Sequence, residues 1–277
     1  MIIDAQVHIW TDETPDRPWP PDGQARVHTP FTLTYEKMLG LMDEAGVNRV
    51  VIVPPSWEGD RNDYALEAAQ KHPDRFAVMG RFPVKHPNAK RLLAKFRDDK
   101  GMLGIRLTFS GAQSTWLRDG TLDWFWPAAA EAGIPIMAHT PMFMPEIAEV
   151  ASKHPSLTLI TDHMGLSMQI SRDNRRAEAI DRTLALARFP NVRVKLSSAP
   201  SYSHGTYPFA DMAPYIERLV RAFGPQRCFW GTDITQIFNK CTYRQRVTHF
   251  TEELDFLSET DKKWIMGRAI GECLGWP

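Results

Sequence analysis

The chain has 277 residues, 43% of them hydrophobic, and 33 basic side chains balance 33 acidic ones. A formal net charge of zero leaves no basic field to hold nucleic acid or an anionic membrane surface, and no apolar run approaches the roughly 20 residues that cross a bilayer. The 3 cysteines, Cys228, Cys241 and Cys273, lack the CxxC spacing of a zinc knuckle or the pattern of a disulfide framework. They read as reduced thiols, and with no basic leader ahead of the first apolar residues the expectation is a cytoplasmic protein acting on small molecules.

In chain order, residues 1–8 read as the first strand, with Asp4, Gln6 and His8 sent to one side by alternation. The stretch 11–31, rich in Pro and charge and containing Arg17-Pro18-Trp19-Pro20-Pro21, is a long loop expected to act as a wall or lid. Helical periodicity over 34–45 ends at Gly46, a position suited to positive φ. A strand at 49–54 leads into Pro55-Ser56-Trp57, and a helix at 62–71 stops before Pro73. Strand 76–82 carries Arg81 and precedes a helix at 88–100; strand 103–109 carries Arg106 and precedes a helix at 122–132 that ends at Gly133. Strand 134–139 ends in His139, followed by Met142-Phe143-Met144 and a helix at 145–153. Strand 157–163 ends in Asp162 and His163, with a helix at 175–187 behind it. Strand 192–197 carries Lys195 and runs into Ser201-Tyr202-Ser203-His204, then a helix at 210–222 that stops at Gly224-Pro225. Strand 228–233 ends in Asp233, and 242–257 and 261–274 supply the last barrel helix and a closing C-terminal helix.

Strand and helix alternate eight times without a linker or low-complexity insert, the pattern of a single (β/α)8 TIM-barrel domain over residues 1–277. The strands are near-continuously apolar, as parallel strands covered on both sides should be. An open dinucleotide-binding sheet is excluded because no GxGxxG follows the first strand.

Seven strand ends thus aim ionisable groups at one mouth, where catalytic residues of such barrels lie. A buried structural network, Arg106 with Asp4 and Lys195 with Asp233, is the bland alternative. The set as a whole points to chemistry. Imidazoles from His8 and His139 and the Asp233 carboxylate suit a divalent metal such as zinc or manganese, which brings the pKa of bound water down to about 7. His163 would serve as acid or base. Arg106 would bind a substrate carboxylate in bidentate fashion, so a small, anionic organic substrate is expected.

Asp4-Ala5-Gln6-Val7-His8-Ile9-Trp10, Gly104-Ile105-Arg106, Ile136-Met137-Ala138-His139, Thr161-Asp162-His163-Met164-Gly165 and Trp230-Gly231-Thr232-Asp233 together resemble the amidohydrolase superfamily, in the branch that holds lactonases of sugar or pyrone-dicarboxylate lactones. The resemblance implies that His139, His163 and Asp233 are catalytic, with Asp233 as general base for a water molecule. It implies metal ligation by His8, His139 and Asp233, with Gln6 standing where the family has the first His of an HxH pair. An amide oxygen is a weak ligand and cannot offset the ion's charge. Substrate contacts are expected from Arg106, Arg81, Lys195, Trp57 and Tyr202. The function implied is hydrolysis of a carboxylated lactone or related C–O ester. Metal-dependent decarboxylation of an aromatic or muconate-type acid is the alternative on the same scaffold, and a barrel that only binds ligand is a third. A homodimer is compatible with this reading.

Overall fold

Strands that are apolar on both faces must be covered on both, and the chain achieves this by winding its helices around a ring of strands. The structure, a computed structural model, describes residues 1–276. Eight parallel strands pair in chain order: β1 (Ile3–Val7), β2 (Arg49–Ile52), β3 (Phe76–Gly80), β4 (Met102–Thr108), β5 (Ile136–His139), β6 (Leu159–Thr161), β7 (Val192–Lys195) and β8 (Cys228–Phe229). The ring closes where the Ala5 amide donates to the Trp230 carbonyl at 3.1 Å and the Asp233 amide to the Gln6 carbonyl at 2.8 Å. This is the expected (β/α)8 barrel.

The helices are α1 (Tyr35–Ala45), α2 (Asp63–Lys71), α3 (Ala89–Ala94), α4 (Phe125–Glu131), α5 (Met144–Lys153), α6 (Met168–Arg172), α7 (Arg176–Leu184), α8 (Ala199–Tyr202), α9 (Ala213–Phe223), α10 (Tyr243–Thr251), α11 (Glu259–Lys263) and α12 (Ala269–Leu274). Thr34 caps α1 by accepting from the Lys37 amide, and Gly46 ends it at φ 75°. Two short helices, α6 and α8, fall in stretches read from sequence as loops. The expected helix over 88–100 ends at Ala94, and the expected strand over 228–233 leaves the ladder after Phe229. There the backbone turns toward β1: a Cβ on Gly231 would lie 3.2 Å from the Gln6 nitrogen, so only glycine fits the closure without displacement. No helix among the described residues is long and apolar enough to cross a membrane.

Two layers of core result. The larger lies between strands and helices; a smaller one, with Ile3, Ala5, Val51, Val53, Met79, Met137, Ile160 and Phe229, fills the barrel, where Ala269, Ile270 and Leu274 of α12 seal it. One expectation fails at β1. The pairing of β1 with β2 shifts register between Asp4 and Val7, where the Asp4 carboxylate accepts from the Gln6 amide at 3.0 Å. Such an irregularity re-aims side chains. Asp4 turns to the outer layer, accepting from the Thr232 amide at 2.8 Å and the Tyr243 hydroxyl at 2.9 Å. Gln6 and His8 face inward without it.

Candidate active site

At the carboxyl ends of the strands lies a cavity of about 200 Å³ bordered by side chains from all eight strands or the segments that directly follow them: His8, Trp57, Arg81, Arg106, His139, His163, Tyr202 and Asp233. Loop residues His28, Ser110 and Ser167 complete its wall. A larger cavity of about 450 Å³ at the opposite face, lined by Met1, Ile2 and Met266 among others, contains no histidine.

Asp233 is the centre of the cluster. Its backbone sits at φ 47°, His163 at 53° and Ser198 at 61°, so three side chains that meet here hang from left-handed backbone. Non-glycine residues bear that conformation at a cost of about 1–3 kcal/mol each, and it concentrates at functional sites. The Ser198 hydroxyl donates to Asp233 Oδ2 at 2.8 Å, and His163 Nε2 lies 3.8 Å from the same oxygen. Asp233 Oδ1 is buried and has no hydrogen-bond partner among the described residues. Burial would push this carboxyl up, but His163, His8, His28 and the Ser198 hydroxyl outweigh it and hold it well below the usual carboxylate range.

His8 donates from Nδ1 to the Val53 carbonyl at 2.7 Å, and the Gln6 amide reaches its Nε2 at 3.3 Å. Burial drives its pKa down to about 3, so near neutrality Nε2 carries a lone pair. That nitrogen faces Asp233 Oδ1 at 3.3 Å. The Gln6 amide donates into that lone pair, whereas Asp233 Oδ1 has no donor among the described residues. Burial likewise takes His139 to about 3 and His163 to about 4, leaving neutral imidazoles as acceptors, ligands or donors. The His139 and His163 rings are 5.4 Å apart, and His163 Nδ1 is 2.8 Å from Ser197 Oγ.

Across the cavity stand two guanidinium groups. Arg106 donates from Nε to Asp162 at 3.0 Å and also contacts Thr108 Oγ1. Arg81 donates to the Pro54 carbonyl at 2.7 Å and to the same Thr108 oxygen at 2.8 Å. Among the described residues Arg81 has no carboxylate at ion-pair distance, and burial together with Arg106 holds its pKa well below the ordinary value. An anion placed between the two arginines would relieve that repulsion.

Two residues expected at the mouth lie beneath it. Lys195 is fully buried, 2.7 Å from Asp162 Oδ1, and it donates to Gln6 Oε1. It therefore neutralises Asp162 from below rather than meeting substrate, and the partner of Lys195 and Arg106 alike is Asp162, not Asp233 or Asp4. The Gln6 oxygen is occupied by that ammonium, which removes Gln6 from any ligand set. Instead, His8, His28 and Asp233 each place one ligand atom within 4.8 Å of the others, a group that could hold a metal ion. His139 is outside that group. The sequence reading missed His28, which comes from the 11–31 loop and carries no periodic signal.

The sequence pattern of the amidohydrolase family matches residues 3–271. The chain belongs to this family. The amidohydrolase is similar to an L-fucono-1,5-lactonase of Burkholderia ambifaria, 29% identical over 83% of this chain and 79% of that protein. It is also similar to a 4-sulfomuconolactone hydrolase of Rhizobium radiobacter, 28% identical over 77% of this chain and 70% of the relative. In fold it matches a solved amidohydrolase of Burkholderia multivorans with bound zinc, with a TM-score of 0.80 over 100% of both chains at 20% identity.

Proposed function

We propose that this amidohydrolase opens a small lactone that carries an anionic substituent. The observation behind the reading is the division of one cavity between a carboxylate with a bare buried oxygen, Asp233 Oδ1, and a pair of guanidinium groups of which only Arg106 is ion-paired among the described residues. The similar lactonase and sulfomuconolactone hydrolase support the bond type. The cavity volume of about 200 Å³ is below that of drug-sized pockets, which start at about 300 Å³, and admits a single ring.

In this reading Arg81 and Arg106 hold the substrate anion and turn the lactone carbonyl toward Asp233. Asp233 Oδ1 accepts a proton from water as the oxygen attacks the carbonyl carbon, while the Ser198 hydroxyl fixes the other carboxylate oxygen. Collapse of the tetrahedral adduct breaks the ring C–O bond, and the departing alkoxide takes the proton back from Asp233, with His163 placed to pass it on. Trp57 and Tyr202 wall off the ring from bulk water. A carboxylate held as low as Asp233 is a weak base on its own. A divalent ion held by His8, His28 and Asp233 would acidify the water; zinc and manganese both suit that donor set.

The test is a pH-stat assay over paired carboxylated and neutral lactones of equal ring size. One proton should appear in solution per turnover, with kcat/KM favouring the anionic member by at least about tenfold, as one or two charge-assisted hydrogen bonds imply. Equal rates for both members would sink the anion clamp. Proton uptake with CO2 release from an aromatic or muconate-type acid would replace hydrolysis by decarboxylation.

A further inference from the structure

Gln6, next to His8 on the inner side of the first strand, has its oxygen taken by the Lys195 ammonium. A ligand set for a divalent ion must therefore be completed from elsewhere. We propose that the loop between β1 and α1 completes it: His28, carried by that loop, is a ligand together with His8 and Asp233, so that a bound ion ties the loop to the ends of β1 and β8.

Three observations carry this. The ligand atoms of His8, His28 and Asp233 lie within 4.8 Å of one another. Asp233 Oδ1 is buried without a hydrogen-bond donor among the described residues, and it lies 3.3 Å from Nε2 of His8. The loop itself is built to hold His28 in place. Arg17 grips the β2–α2 connection by a bidentate pair with Asp63, at 2.8 and 3.1 Å, and reaches the buried Glu58 at 3.3 Å. Gly23 packs against the same connection so tightly that a Cβ there would lie 2.6 Å from the Trp57 carbonyl oxygen. The His28 ring stacks edge-on to Trp57 at 4.8 Å between centroids, and its Nδ1 is 3.1 Å from Thr235 Oγ1. His8 is oriented by the Val53 carbonyl, the kind of outer contact that fixes the tautomer of a ligating imidazole. His28 is exposed, so the ion site it would complete lies at the surface of the mouth.

The inference does not rest on lactone hydrolysis and is read without substrate. Metal-free full-length protein is titrated with zinc chloride by calorimetry, and hydrogen exchange of residues 11–31 is followed with and without the ion. Wild type should bind one ion per chain and slow exchange in the loop. His28→Phe, which keeps a ring against Trp57 but cannot ligate, should weaken binding by at least tenfold and abolish the loop response. His28→Asp, which restores a ligand, should recover both in part. Unchanged thermal unfolding of the variants shows that the fold is intact. Zinc affinity equal in wild type and His28→Phe, no uptake by wild type, or uptake without loop protection overturns the proposal.

Discussion

The two ends of the barrel interior are built on opposite terms. At the amino-terminal end Ile3, Ala5, Val51, Val53, Met79, Met137, Ile160 and Phe229 close on one another under α12, and every group there gains by leaving water. At the carboxyl end Arg81, Arg106, Asp162, His163, Lys195 and Asp233 are just as buried, and each gives up hydration to be there. Buried charges are retained only where partners satisfy them. Asp162 is ion-paired with both Lys195 and Arg106; among the described residues Arg81 has no carboxylate at ion-pair distance, and Asp233 Oδ1 has no hydrogen-bond donor. Arg81 and Asp233 line the cavity and Asp162 does not, so the difference between the ends separates what holds the fold from what meets a ligand.

A paired substitution tests that separation most sharply. Asp233→Asn should lower kcat by about 10³-fold or more, as loss of a general base does, while the unfolding midpoint holds or rises because a buried charge has been removed. Phe229→Ala, at the sealed end, should cost about 3–5 kcal/mol of stability and leave kcat of the folded enzyme unchanged. Turnover by Asp233→Asn at the wild-type rate, or an inactive but stable Phe229→Ala, would break the comparison.

Arg81→Met comes next. It removes a guanidinium that faces the cavity without an acid of its own, so KM for a carboxylated lactone should rise by roughly 10- to 150-fold, the equivalent of about 1.5–3 kcal/mol for a charge-assisted hydrogen bond. KM for a neutral lactone and the unfolding midpoint should stay where they are. A large loss of stability would make Arg81 a structural cation like Lys195.

The same division explains what could be read from the sequence. Strand-borne groups were legible, since period-2 patterning and turn signals place His139, His163, Arg106 and Asp233 at strand ends whatever the loops do. Depth was not: strands of a barrel are tilted and staggered, so the sequence does not say that Lys195 sits below Asp162 while Arg106 beside it opens to the cavity. Nor was the shift at Asp4, which depends on one side chain bonding an amide two residues on. His28 was invisible because nothing periodic governs residues 11–31; its position depends on Arg17, Gly23 and Trp57, contacts between segments distant in sequence.

The smallest effect concerns pH, and its sign follows from burial. Unfolded histidine takes a proton near pH 6.5, whereas burial holds His249 down to about 4, with Asp211 opposing only weakly. Both its ring nitrogens lack hydrogen-bond partners among the described residues, between Phe209 and Phe250. As pH falls from 6.5 toward 4 the unfolded chain therefore binds a proton that the folded chain refuses, and stability is lost by about 1.4 kcal/mol per pH unit for each such group. His8, His139 and His163 act in the same direction. Asp4 and Glu58, raised by burial to about 6 and about 7, act in the opposite one, since their folded forms keep a proton longer as pH rises. With His28 lowered by burial and Asp60 raised by it, five groups against three give a net fall toward acid. His249→Leu removes the one of these five histidines that does not line the cavity, so its unfolding midpoint should decline less steeply than that of wild type between pH 6.5 and 4 while kcat is unaffected. Parallel declines would mean that His249 is already protonated in the fold, and that the acid sensitivity belongs to the catalytic end alone.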